Sequence, residues 1–403
     1  MEDPLSLLRE PIARILANLA AVEGTETWPL EKAAGRVLVQ PIAAMHAVPP
    51  FDQAAMDGYA LGAGDDTHYR LAGRLAAGDA APQPLGSGEA ARIFTGAPVP
   101  AGARAVIQQE RATAGAGWLE APPGLPAGLN IRRAGEDVAA GGALLPGGQR
   151  LRPRHIGLAA AAGHLELPVR RKLRVALAST GAELRGAGSS LGPAQIHDSN
   201  RPMLRAMLEA PDVELLDLGI LADEPAALSR SLALAAETAD LVVSSGGVSA
   251  GEEDHMLRAI ADAGGEVEVV RLPIKPGKPV KFGRIGRSAV LALPGNPLAA
   301  FIIQWLVGCR MLDVLAGTPP RALRASPARL GFEEAVKPGE RVEFVPLRIV
   351  ATDEMGLPIV ERLGRGSSAR LLPLSQADAI GIFGPGTSQL QRGKLVGILP
   401  VEE

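Results

Sequence analysis

Between residues 173 and 315, short apolar runs alternate with amphipathic stretches, and most runs break off into glycine, serine or a carboxylate. Apolar runs bounded in this way read as buried strands, and the stretches between them carry apolar residues at helical spacing. The pattern predicts strands over 173–178, 213–218, 241–243, 267–272 and 289–293, with helices over 200–209, 224–236, 255–263 and from 297 onward. Strand followed by helix, repeated, is the pattern of a parallel, doubly wound sheet. Ligands of such sheets gather beyond the carboxyl ends of the strands. Ser179-Thr180-Gly181-Ala182-Glu183, Asp223, Ser244 to Asp254 and Pro294-Gly295-Asn296-Pro297 each follow a predicted strand, so they are expected to converge.

The flanks follow other rhythms. Leu8, Ile12, Ile15, Leu16 and Leu19 recur at helical spacing, which predicts an opening helix over 5–20 that packs as a lid or arm. From 27 to 170 short β-like runs are separated by Pro and Gly clusters, and alternating runs return after the linker Gly317-Thr318-Pro319-Pro320. The expected fold class is therefore a multidomain α/β protein: a doubly wound parallel-sheet domain, β-rich N-terminal domains and a small C-terminal β-domain. The expected division is 1–170 (the helix and a β-rich region for dimerisation and site closing, with an insert at about 46–140), 171–317 and 318–403.

Composition excludes several partners. A net charge of −3 and only 3% aromatic residues give neither a basic field nor stacking platforms for nucleic acid. The acidic start Met1-Glu2-Asp3-Pro4 is unlike a signal peptide, and no uninterrupted apolar run long enough to span a bilayer occurs, so no membrane partner and a cytoplasmic location are expected. Cys309 is the single cysteine, sits in an apolar stretch and reads as a small core residue. The six histidines show no zinc-type spacing.

The breaks themselves suggest phosphate chemistry. Gly246 and Gly247 after Ser245 let the backbone approach a ligand, and successive free amides form an anion-binding concavity. Lys275 and Lys278 add positive charge. Glu252, Glu253 and Asp254 would repel phosphate by roughly 4 kcal/mol per pair at about 4 Å with an effective dielectric of about 20. A divalent cation relieves that conflict, and hard oxygen ligands suit magnesium. The plainer reading is a tight strand exit whose acids complement the next helix. Pro294-Gly295-Asn296-Pro297 is either an anion-facing helix start or a rigid turn with proline at the first helical position. Asn200 reads as a helix cap with Pro202 in the first turn.

Further motifs lie upstream. Met56-Asp57-Gly58-Tyr59-Ala60, Thr95-Gly96-Ala97 and Gly135-Glu136-Asp137 precede Ser179-Thr180-Gly181, Ser245-Gly246-Gly247, Lys275-Pro276-Gly277-Lys278-Pro279 and Pro294-Gly295-Asn296-Pro297. In this order the series resembles the molybdopterin molybdotransferase family, which is similar to the E-domain of gephyrin. The chain departs from the family pattern at Arg104, at Ala182 and at Gln53-Ala54.

The resemblance implies insertion of molybdate into adenylylated molybdopterin, with magnesium required and AMP released, giving molybdenum cofactor. It implies Asp57, Thr95, Asp137, Glu183, Asp223 and Asp254 as catalytic residues, with Asp254, Glu183 and Asp223 around magnesium. Substrate would be bound by Arg132, Ser179, Thr180, Gly181, Ser245, Gly246, Gly247, Lys275, Lys278, Pro294, Asn296, Pro297, Arg365 and Ser367. A homodimer is implied, its sites combining residues of both subunits, with molybdopterin adenylyltransferase and molybdoenzyme acceptors as further partners. Two alternatives stand beside this: the preceding adenylylation of molybdopterin, whose enzyme resembles only the doubly wound domain, and a non-catalytic gephyrin-like scaffold.

Overall fold

The computed structural model describes residues 3–64, 67–80, 83–247, 255–277, 279–364 and 370–401. The chain divides into two compact units, one of Met1–Glu26, Gly35–Val37 and Arg170–Glu403, the other of Thr27–Ala34 and Leu38–Val169.

The first unit holds the doubly wound sheet. Four parallel strands lie in the order Val213–Leu221, Leu173–Thr180, Leu241–Ser245, Ser288–Leu293, and two antiparallel strands, Val280–Ile285 and Glu266–Val270, extend the edge. Alternate residues bury into opposite layers, as the two-residue period of a strand requires. Val175, Leu177, Val243 and Leu291 pack with the helices Ser6–Leu16, Asn200–Leu208 and the long helix from Pro297. Ala176, Val242 and Val290 pack with Pro225–Thr238 and His255–Asp262.

Several expectations need correction. The opening helix is a core element rather than a lid or arm, because Leu8, Ile12 and Ile15 are buried in the same cluster as the sheet. The Val280–Ile285 strand escapes sequence reading because Lys281 and Gly283 interrupt its apolar run, although Lys281 is buried and Gly283 sits too close to Glu266 O for any Cβ. The 267–272 strand runs as Glu266–Val270 and pairs antiparallel at the edge. The helix beginning at Pro297 passes through a π turn at Gln304–Gly308 into Cys309–Leu315. By length and composition this 19-residue stretch is apolar enough to cross a membrane, but most of it is buried inside the fold.

The C-terminal strands Ser326–Leu330, Val342–Thr352, Pro358–Arg362, Ala379–Phe383 and Leu395–Pro400 pair in a closed ring, which makes a small barrel. Closure removes the exposed edges an open sheet would present. Ile274–Lys275, from the doubly wound segment, adds to this barrel beside Val342–Glu343.

The second unit is β-rich. Its six-stranded sheet runs Ala105–Gln108, Gly58–Leu61, Glu89–Ile93, His68–Leu75, Trp118–Glu120, Thr113–Gly115. A separate cluster of Leu38, Ile42, Leu145, Leu151 and Leu167 packs under the helix Pro153–Ala161.

Candidate functional site

Register aligns the ends of the parallel strands. Ser179 lies opposite Ser245, which lies opposite Leu293, so the turns that follow begin at one level. Thr180, Gly246 and Gly295 are therefore neighbours. A Cβ on Gly246 would lie 2.0 Å from the carbonyl oxygen of Thr180, and Gly246 has a φ of +94°, so only glycine fits there. A Cβ on Gly295 would in turn lie 3.8 Å from Cα of Gly246. Thr180 donates its hydroxyl to Asp223 at 3.2 Å, and Nδ1 of His255 lies 3.4 Å from the same carboxylate oxygen. Glu183 folds its exposed carboxylate back toward Gly181. Ser179, Thr180, Gly181, Asp223, Ser245, Gly246, Gly247, Pro294 and Asn296 thus border one sheet edge. Asn296 caps the long helix by accepting from the amide of Ala299 at 3.3 Å, with Pro297 at the first helical position.

Lys275 belongs elsewhere. Its strand joins the C-terminal barrel, its ammonium pairs with Glu343 at 3.3 Å, and both residues line a cavity of about 360 Å³ with Lys337, Arg341 and Arg362. Arg362 also bonds Glu334 at 3.1 Å, so this cavity carries cations balanced by carboxylates. None of the strand-end residues lines it.

In the second unit, Asp57 accepts from the amide of Thr95 at 2.8 Å and from its hydroxyl at 2.7 Å. The amide bond, then the hydroxyl bond, holds the Asp57 carboxyl below its ordinary range although it is exposed. Gly58 is required next to it, since a Cβ would lie 1.7 Å from the Ile107 carbonyl oxygen. Arg132 bonds Glu136 at 3.0 Å and Asp137 at 2.9 Å, and Arg133 bonds Asp52 at 2.6 Å. The short strand Gln53–Ala54 joins these two groups: it pairs with Ile131–Arg132 and exchanges backbone hydrogen bonds with Gly96 and Ala97. Arg104, one of the departures from the family pattern, donates to the Leu125 carbonyl at 2.8 Å.

Known proteins match this chain along most of its length. Residues 7–163 match the family described as MoeA N-terminal region (domain I and II), 176–311 the probable molybdopterin binding domain, and 328–401 the MoeA C-terminal region (domain IV). The molybdopterin molybdenumtransferase of Haemophilus influenzae is 38% identical over 294 residues, which cover 72% of each chain. The chain belongs to the molybdopterin molybdenumtransferase family. A second member, from Nostoc, is 30% identical over 401 residues and aligns with 96% of this chain and 91% of its own. The solved molybdopterin biosynthesis moeA protein of Pyrococcus horikoshii OT3 has a TM-score of 0.76 at 27% identity, covering 97% of this chain and 98% of that one. The molybdenumtransferase fold, with its doubly wound domain, β-rich N-terminal part and C-terminal barrel, is therefore the fold of this chain.

Within that family fold, Asp254 with Glu252 and Glu253, Lys278, Arg365 and Ser367 lie outside the described residues. Among the described residues no three His, Cys, Asp or Glu side chains gather into a metal-ligand group. Asp223 and Glu183 offer the hard oxygens magnesium prefers, but only part of a ligand set. Sequence reading missed His255, whose only signal was its place directly after the acidic run. It also missed Glu343, whose role rests on a strand pairing that no local pattern reveals. Asn200 is not the helix cap: Ser199 occupies that position, and the Asn200 side chain is turned inward to Ser245 and Gly295.

Proposed function

We propose that the protein inserts molybdate into adenylylated molybdopterin, releasing AMP and giving molybdenum cofactor. The observation that carries this reading is the sheet edge itself, where Gly246 and Gly247, both in left-handed backbone conformations, abut Thr180, with Asp223 alongside. A glycine turn with positive φ can present backbone donors to the pterin phosphate and adenylate, and a site that fixes such groups accelerates their cleavage chiefly through position and charge. The barrel and the β-rich unit, both matched by the family, separate this activity from adenylylation by a lone doubly wound domain.

The finer parts of the reading rest on the resemblance. Magnesium, held by Asp254 with Glu183 and Asp223, would supply counter-charge for the departing phosphate. Lys275 and Lys278 would attract molybdate, and Arg365 and Ser367 would help bind substrate. The protein would act as a cytoplasmic homodimer in which Asp57, Thr95, Arg132 and Asp137 of one subunit close the other's site. The 1–170 segment would serve dimerisation and closing, 171–317 molybdopterin binding, and 318–403 the barrel's share of the oxyanion cavity. Molybdopterin adenylyltransferase would supply substrate and molybdoenzymes would receive product.

The test is to incubate the protein with adenylylated molybdopterin, magnesium and graded molybdate, and to follow AMP. Release that rises with molybdate is expected. Consumption of ATP with molybdopterin, and no molybdate response, would instead indicate adenylylation. Lys275→Ala should raise the half-saturating molybdate concentration severalfold, because a cation facing an oxyanion is lost; an unchanged titration would separate Lys275 from molybdate.

A further inference from the structure

The polar tip His197-Asp198-Ser199-Asn200 precedes a helix of the doubly wound domain, and the reading above assigns it no task. With Arg201 just beyond it, its side chains reach the ends of Leu173–Thr180 and Leu241–Ser245, the turn after Ser288–Leu293 and the middle of Val213–Leu221. Asp198, 3% exposed, accepts from the Ser179 hydroxyl at 3.2 Å, at the end of Leu173–Thr180. Asp198 also bonds Arg201 at 3.1 Å, and Arg201 bonds Asp217 of Val213–Leu221 at 2.7 Å. Asn200, 7% exposed, donates from Nδ2 to the Ser245 hydroxyl at 2.8 Å and to the Gly295 carbonyl at 2.9 Å. Those partners end Leu241–Ser245 and begin the turn after Ser288–Leu293.

Asn200 is the informative member. Its Oδ1 is buried and has no hydrogen-bond partner among the described residues, so the carboxamide is held by its donor side alone. A buried acceptor without a donor is destabilising. An alanine would avoid it, and an aspartate could not donate to the Gly295 carbonyl. What asparagine adds is a second side-chain bridge between the two glycine turns, beside the bond that the Ser245 hydroxyl donates to the Pro294 carbonyl at 3.4 Å.

We propose that Asn200 is a positioning residue that locks the Ser245-Gly246 turn to the Pro294-Gly295 turn, with Asp198 and Arg201 anchoring the same tip to the remaining two strands. The lock sets the spacing of the backbone amides that receive the anionic substrate; this rests on the function proposed above for what the substrate is. It predicts an effect on substrate affinity rather than on the chemical step, since Asn200 is buried behind the turns.

Two measurements on the full-length protein test it. In Asn200→Ala, amide hydrogen exchange at Gly246, whose amide joins the two turns by donating to the Leu293 carbonyl at 3.2 Å, should quicken by about tenfold in ligand-free protein, while the amides of the Leu241–Ser245 strand keep their protection. In the AMP-release assay its KM for adenylylated molybdopterin should rise about tenfold with kcat within about threefold of wild type. Ser245→Ala removes the hydroxyl that accepts from Asn200 and donates to the Pro294 carbonyl, and serves if Asn200→Ala does not fold; it too should quicken exchange at Gly246. Unchanged exchange at Gly246, or a kcat loss with unaltered KM, would overturn the proposal. If wild-type protein releases no AMP, the functional reading fails, and the exchange experiment still decides whether Asn200 locks the turns.

Discussion

Asp57 shows how two hydrogen bonds from one residue set the charge of another. Because the Thr95 amide and hydroxyl both point at it, Asp57 stays ionised to a lower pH than a free aspartate, whose ordinary value is 3.8. A depressed folded-state pKa contributes stability above the unfolded value, and that stability is lost as pH falls through the lower folded value. Thr95→Val keeps the amide bond and removes the hydroxyl, so the Asp57 pKa should rise part of the way toward 3.8, read by carboxyl NMR titration; an unmoved titration would mean the hydroxyl bond does not form in solution. Cys309 is the opposite case. Burial raises its thiol pKa, which leaves it protonated and inert. Cys309→Ala should cost about 1 kcal/mol in urea unfolding and leave turnover intact. A folded but inactive variant would contradict the core reading. Cys309 was legible because its neighbours are apolar in sequence, whereas Asn200 was not: a residue before a helix looks like a cap unless one knows that the turns at Ser245 and Gly295 pack behind it.

At the scale of elements, the strand and helix rhythm carried most of the information. Leu173–Thr180, Leu241–Ser245 and Ser288–Leu293 were visible because each buries a mostly apolar run, whereas the half-buried Val213–Leu221 was visible through its place in the alternation of strand and helix. Val280–Ile285 and the Ile274–Lys275 pairing were not, since their places are set by partners distant in sequence. The convergence of the turns was legible too, because the carboxyl ends of parallel strands share one edge whatever the loops contain. Gly246→Ala tests that edge. The added methyl meets the Thr180 carbonyl in a backbone conformation alanine avoids, so the variant should lose about 1–3 kcal/mol of stability and most AMP release. Wild-type unfolding and turnover would show that the two turns do not approach as closely as described.

At the scale of the whole molecule, the sequence order of motifs was legible, but the mutual use of the two units was not, because nothing local states which copy of the chain completes a site. If Asp57 of one subunit serves with Asp254 of the other, Asp57→Ala and Asp254→Ala proteins, each inactive, should recover about a quarter of wild-type activity when refolded together in equal amounts. Background activity in verified mixed dimers would contradict a shared site. The function itself is tested most directly by counting. Purified protein is supplied with adenylylated molybdopterin, magnesium and molybdate, and the molybdenum bound in the isolated pterin product is measured against AMP released. The account predicts one molybdenum incorporated for each AMP, and AMP release that depends on molybdate. AMP released with no molybdenum in the pterin, or molybdenum incorporated without AMP, would contradict it.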